Sequence, residues 1–106
     1  MKIKILEIIG DSSLAGAPRH LLGLLDNFDY HKFDVFVISP PGPLAGEIRS
    51  LRKPLELEIV KMSSKFNFKA ISEIRKKIKH LKPDVIHIHG TRAGSLGRLA
   101  AIGLKI

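Results

Sequence analysis

His87 and His89, at the end of an apolar run, are the residues of this sequence best suited to acid–base or ligand chemistry. Imidazole titrates near neutrality, so it can donate or accept a proton at working pH. The run VIHIH reads as a strand, in which residues two apart share a face. His89 stands last, immediately before Gly90, where a strand end opens toward a ligand. His87 reads as a satisfied, partly buried histidine. A zinc pair is the sharper alternative, but no third or fourth ligand is evident and the chain has no cysteine, so no metal is expected.

Two glycine-containing segments, Gly10–Ala17 and Gly90–Gly94, each precede a helical pattern. Each therefore offers unbonded backbone N–H groups and the positive end of a helix to an anion. Ala15, Gly16 and Gly90 supply the backbone, Arg19 and Arg92 add cationic forks, and His20 can approach the same place. The first segment lacks the Gly-Lys-Ser/Thr of a Walker loop. It also lacks the G-x-G-x-x-G spacing of a dinucleotide fingerprint, and Ser39-Pro40 stands where an acidic ribose ligand would follow the second strand. A nicotinamide enzyme is disfavoured.

The elements that must position these residues follow from periodicity. Lys2–Ile9, Phe33–Ile38 and Val85–His89 are short, Ile- and Val-rich runs bounded by turn residues, the pattern of strands covered on both faces. Leu55, Leu57 and Ile59 alternate with Glu56 and Glu58, as in a half-exposed edge strand. Helices are expected from Pro18 through Phe28, over Leu44–Leu51, along the Ile71/Ile74/Ile78/Leu81 stripe, and over Ser95–Leu104. This βα alternation, with connections too long for hairpins, predicts an α/β, Rossmann-like parallel sheet of order 3-2-1-4 with helices on both faces. Ligands then bind between strands one and four, at their carboxyl ends. The last strand would lie at an uncovered edge, which invites pairing with a second copy.

The 106 residues make one domain, and 44% hydrophobic with 26% charged residues is a globular balance. Without cysteine, disulfide frameworks, iron–sulfur clusters and thiol catalysis are excluded. The amino terminus resembles a signal peptide only superficially, because Glu7 interrupts its apolar stretch. The expected location is the cytoplasm, with peripheral contact at the inner face of the membrane as the alternative.

Net charge is +8, and residues 54–106 carry most of the excess. Eight basic residues and one acid lie between Lys61 and Lys82. They could attract anionic lipid headgroups, but an ordinary crossover helix with its stripe on the sheet is expected. Nucleic acid is not expected as a partner, because the six aromatics form no stacking array.

Three segments carry a family resemblance: Ala15-Gly16-Ala17-Pro18-Arg19-His20-Leu21-Leu22, Pro41-Gly42-Pro43-Leu44, and Lys82-Pro83-Asp84-Val85-Ile86-His87-Ile88-His89-Gly90. With Thr91-Arg92-Ala93-Gly94-Ser95-Leu96-Gly97-Arg98-Leu99-Ala100-Ala101, the chain resembles the amino-terminal domain of group 1 (family 4) glycosyltransferases. The resemblance implies the first part of one half of a GT-B fold, the acceptor-side domain, with the carboxyl-terminal donor domain absent. It implies a retaining transferase acting on a nucleotide-sugar and a glycan or lipid-linked acceptor, without a cofactor or metal. By the same resemblance Gly16 lies near the donor diphosphate, His89 lines the reaction centre, and Arg92 contacts acceptor or phosphate. The family often has Gly-Gly where this chain has Ala15-Gly16, and Glu or Gln where it has Pro18. The 106-residue chain alone is expected to be inactive. Two other readings stand beside it: a separate acceptor-side subunit that docks onto a donor-carrying chain, and a non-enzymatic module binding a phosphorylated ligand.

Overall fold

The computed structural model describes residues 2–10, 13–14, 16–61 and 68–89. Among them the elements are β1 (Ile3–Ile9), α1 (Gly16–Asn27), β2 (Phe33–Ser39), α2 (Pro43–Ser50), β3 (Glu56–Ile59), α3 (Phe68–Leu81) and β4 (Val85–His89). The helix expected over Ser95–Leu104 lies outside the described residues. The sheet runs β3-β2-β1-β4 with every neighbouring pair parallel, the order expected from the βα alternation.

β1 is buried on both faces from Ile5 to Ile9 because it lies between β2 and β4 and is covered on both sides. Its alternate residues divide the core into two layers. Leu6 and Ile8, with Ile38 of β2, pack against Ala70, Ile74, Ile78 and Leu81 of α3. Ile9, with Val35 and Val37, packs on the other face against Leu21 and Leu25 of α1 and Leu44 and Ile48 of α2. Each such side chain contributes about 1.5–3 kcal/mol by leaving water. β3 alternates exposed glutamates with half-buried Leu57 and Ile59, as its edge position requires.

α1 begins at Gly16, two residues before the start expected from Pro18. Pro18 is the third residue of the first turn, and it is buried. The first N–H groups of a helix have no intrahelical acceptor, so proline is tolerated there as well as at the first position. α2 starts behind Gly42, whose φ of 150° and ψ of −172° favour glycine, with Pro43 preset for the helix.

The stripe of α3 is fully used by the sheet, which accounts for its periodicity without a membrane. Lys69, Lys76 and Lys79 point to solvent, and Lys77 reaches Glu58 of β3 at 3.7 Å. Among the described residues no helix is long and apolar enough to cross a membrane.

The carboxyl end of α3 is tied to the start of β1. Lys82 closes the helix in a left-handed conformation, φ 50°, and its N–H donates to the Ile78 carbonyl at 2.9 Å. The Lys4 N–H donates to Asp84 Oδ2 at 2.8 Å, and the Asp84 N–H donates back to the Lys4 carbonyl at 2.9 Å. Lys4 Nζ donates to the Leu81 carbonyl at 3.1 Å. This clasp sets the point from which β4 starts its pairing with β1.

Candidate functional site

β1 and β4 pair with Ile5 opposite Val85, Glu7 opposite His87, and Ile9 opposite His89. Every second residue shares a face, so Glu7, His87 and His89 lie together on the side covered by α1 and α2. The two histidines point the same way, as their spacing requires, and their ring centroids are 4.1 Å apart.

Glu7 is the residue that sequence reasoning missed. Its side chain is 1% exposed, at the middle of the central strand. A carboxylate buried there is costly unless charged or hydrogen-bonding partners compensate it. The partners are imidazoles: Glu7 Oε2 lies 2.9 Å from His89 Nε2 and 3.1 Å from His87 Nδ1. Oε1 is 3.3 Å from the same His87 nitrogen. The signal available in the sequence was an acid inside an otherwise apolar strand, but its partners are 80 and 82 positions away.

His89 is buried at the carboxyl end of β4, whereas half of the His87 side chain is exposed. His87 is therefore satisfied through Glu7, but closer to solvent than the expected partly buried histidine. His20, in the first turns of α1, brings its ring centroid to 6.3 Å from that of His89. The helix thus sets a second imidazole at the same end of the sheet.

Gly16 is not a loop residue, as expected, but the first residue of α1. It is exposed, and a Cβ built on it meets nothing within 4 Å. Its backbone is outside the left-handed region, so the fold itself does not demand glycine there. The Arg19 Nε–H donates to the Leu14 carbonyl at 2.7 Å, tying the segment ahead of α1 to the helix and leaving the guanidinium NH2 groups for other acceptors. Ala15, Gly90 and Arg92 lie outside the described residues.

The carboxyl ends of β1, β2 and β4 and the amino end of α1 thus meet beside the β1–β4 pair. The set offers a buried carboxylate, three imidazoles and the positive end of a twelve-residue helix. Donor atoms of Glu7, His87 and His89 all lie within 4.8 Å of one another, so the third possible metal ligand absent from the sequence reading is Glu7. The same three groups already satisfy one another by hydrogen bonds. A sequence profile described as Glycosyltransferase Family 4 matches residues 14–106, a stretch that holds the three histidines but begins after Glu7. No curated protein matches the chain.

Proposed function

The chain belongs to glycosyltransferase family 4, and from that premise we propose that it forms the acceptor-side part of a retaining glycosyltransferase. The reaction moves a sugar from a nucleotide-sugar to a hydroxyl of a glycan or lipid-linked acceptor. The observation that carries the reading is the meeting of His89, His20 and the amino end of α1 at one end of the sheet. A leaving diphosphate needs positive charge and N–H donors, and the start of α1 offers both. Gly16, without a Cβ, lets a phosphate approach that helix end closely. Arg19 supplies a cation one turn on, whereas Ala15, Gly90 and Arg92, expected at the same site, lie outside the described residues. His89 acts as an imidazole facing the transferred sugar, as hydrogen-bond partner or proton carrier, and not as a metal ligand.

On this reading a second Rossmann-like domain grips the nucleotide, and closure of the cleft over the diphosphate completes the site. The deciding experiment uses the polypeptide assembly that carries both halves and compares His89→Ala with His89→Gln. Loss of a positioned acid–base or hydrogen-bonding group lowers kcat/KM by about 10²–10⁴-fold. The same truncation lowers stability by about 1–3 kcal/mol, because Glu7 loses one partner. A variant whose transfer falls only in step with its folded fraction would reduce His89 to a packing residue.

A further inference from the structure

The buried carboxylate has a consequence for His89 that follows from donor and acceptor bookkeeping. An ionised carboxylate only accepts hydrogen bonds, so an imidazole nitrogen facing it must carry the hydrogen. Glu7 Oε2 faces Nε2 of His89 at 2.9 Å and Nδ1 of His87 at 3.1 Å. Each ring, when neutral, is therefore held in a different tautomer: Nε2–H for His89 and Nδ1–H for His87. We propose that Glu7 is the positioning residue of this site, fixing His89 as the Nε2–H tautomer so that Nδ1 is the nitrogen left for substrate.

The geometry supports a fixed tautomer over an incidental contact. Glu7 is 1% exposed and His89 7% exposed, so water competes little for their bond. The Glu7 backbone is held in register with His87, and that of His89 with Ile9, so the ladder keeps all three side chains on one face and next to one another. His87 approaches the carboxylate from the solvent side, its Nδ1 hydrogen-bonded to Oε1 at 3.3 Å and 3.1 Å from Oε2. The Glu7–His89 pair thus orients the ring, as a buried acid does for a catalytic histidine. The assignment of tautomers stands on the hydrogen bonds alone; its effect on transfer rests on the function proposed above.

Long-range proton–nitrogen NMR of the ¹⁵N-histidine-labelled chain reads each ring's tautomer directly. The unaltered chain is expected to show His89 protonated at Nε2 and His87 at Nδ1. A wild-type spectrum with His89 protonated at Nδ1 and bare at Nε2 overturns the proposal before any variant is made. In Glu7→Gln the amide can turn its NH2 toward either ring, so His89 is expected to lose its single tautomer while the chain stays folded. An unchanged His89 spectrum in a folded Glu7→Gln chain overturns it as well. In the assembly carrying both halves, Glu7→Gln should lower kcat at least about tenfold with KM little changed, and Glu7→Asp should restore part of the loss. A Zn²⁺ titration of the wild-type chain closes the test. Silent histidine resonances fit the proposal, whereas stoichiometric binding that Glu7→Gln abolishes makes the three groups a ligand set and overturns it. If the tautomers behave as expected and no sugar is transferred, the failure belongs to the functional reading and not to this assignment.

Discussion

Replacing Gly16 with alanine separates what the fold needs from what a ligand needs. The added methyl meets no atom within 4 Å, and the backbone lies outside the left-handed region. Folding therefore has no reason to resist the change. Alanine lowers the entropy of the unfolded chain and suits the first turn of α1, so the native state should gain about 0.5 kcal/mol. With a urea slope of about 1.5 kcal/mol/M for a chain this small, the unfolding midpoint should rise by about 0.3 M. The opposite result is expected for transfer. If a diphosphate approaches the start of α1, the methyl stands in its path, and a loss of about 1.4 kcal/mol in binding is tenfold in kcat/KM. Urea titration of the chain and a transfer assay on the assembly with the donor domain read the two quantities separately. Transfer that survives Gly16→Ala intact would refute the proximity of phosphate to this helix end. A midpoint that falls would refute the claim that the glycine is free of structural duty.

Two further outcomes concern the scaffold. Burial pushes the Tyr30 phenol above its ordinary value, and Asp26 nearby acts in the same direction; the hydroxyl also donates to the Leu25 carbonyl. The folded state thus favours the protonated form. The stability this contributes is complete below about pH 10, the ordinary tyrosine value, and is lost as pH rises through the higher folded value. Tyr30 is the sole tyrosine and the chain has no tryptophan, so phenolate absorbance follows it alone; titration at the free tyrosine value would contradict the expectation. Lys82 holds φ 50° at the end of α3, and Lys82→Gly should raise stability by about 0.5–1 kcal/mol by relieving that conformation. A denaturation midpoint unchanged or lowered in that variant would show that the lysine side chain compensates the strain.

The order of the first three strands was legible because each announces its depth, whereas β4 reads as covered on both faces yet alternates exposed and covered residues at the sheet edge. β1 and β2 are nearly unbroken runs of Ile, Val, Leu and Phe, whereas β3 alternates Leu and Ile with glutamate; buried centre and exposed edge are thereby distinguished. Parallel pairing followed from the helices between them. The face shared by His87 and His89 was legible for the same reason, since it depends only on strand alternation. The start of α1 was less so: Pro18 marks a first turn but not which of its positions it fills. Glu7 could be seen as an interruption, yet its meaning depends on a register between strands some 80 residues apart. Local pattern carries no record of such a register until the fold forms it. Likewise Gly16 looked like a loop glycine, and only coordinates distinguish a glycine the chain requires from one it merely has.

The clasp between Lys4 and Asp84 makes the site sensitive to chain length in one narrow place. It joins the two strands ahead of their first side-chain pairs, so the spacing from Asp84 to His89 decides which face each ring takes. One residue gained or lost between Asp84 and His87 would turn both imidazoles toward the α3 layer and strand the central carboxylate in apolar surroundings, and one between His87 and His89 would turn the second ring alone. The surface turn after α1 has no such arithmetic behind it. Among descendants of this sequence, length variation should therefore collect in that turn and be purged between the aspartate and the terminal histidine.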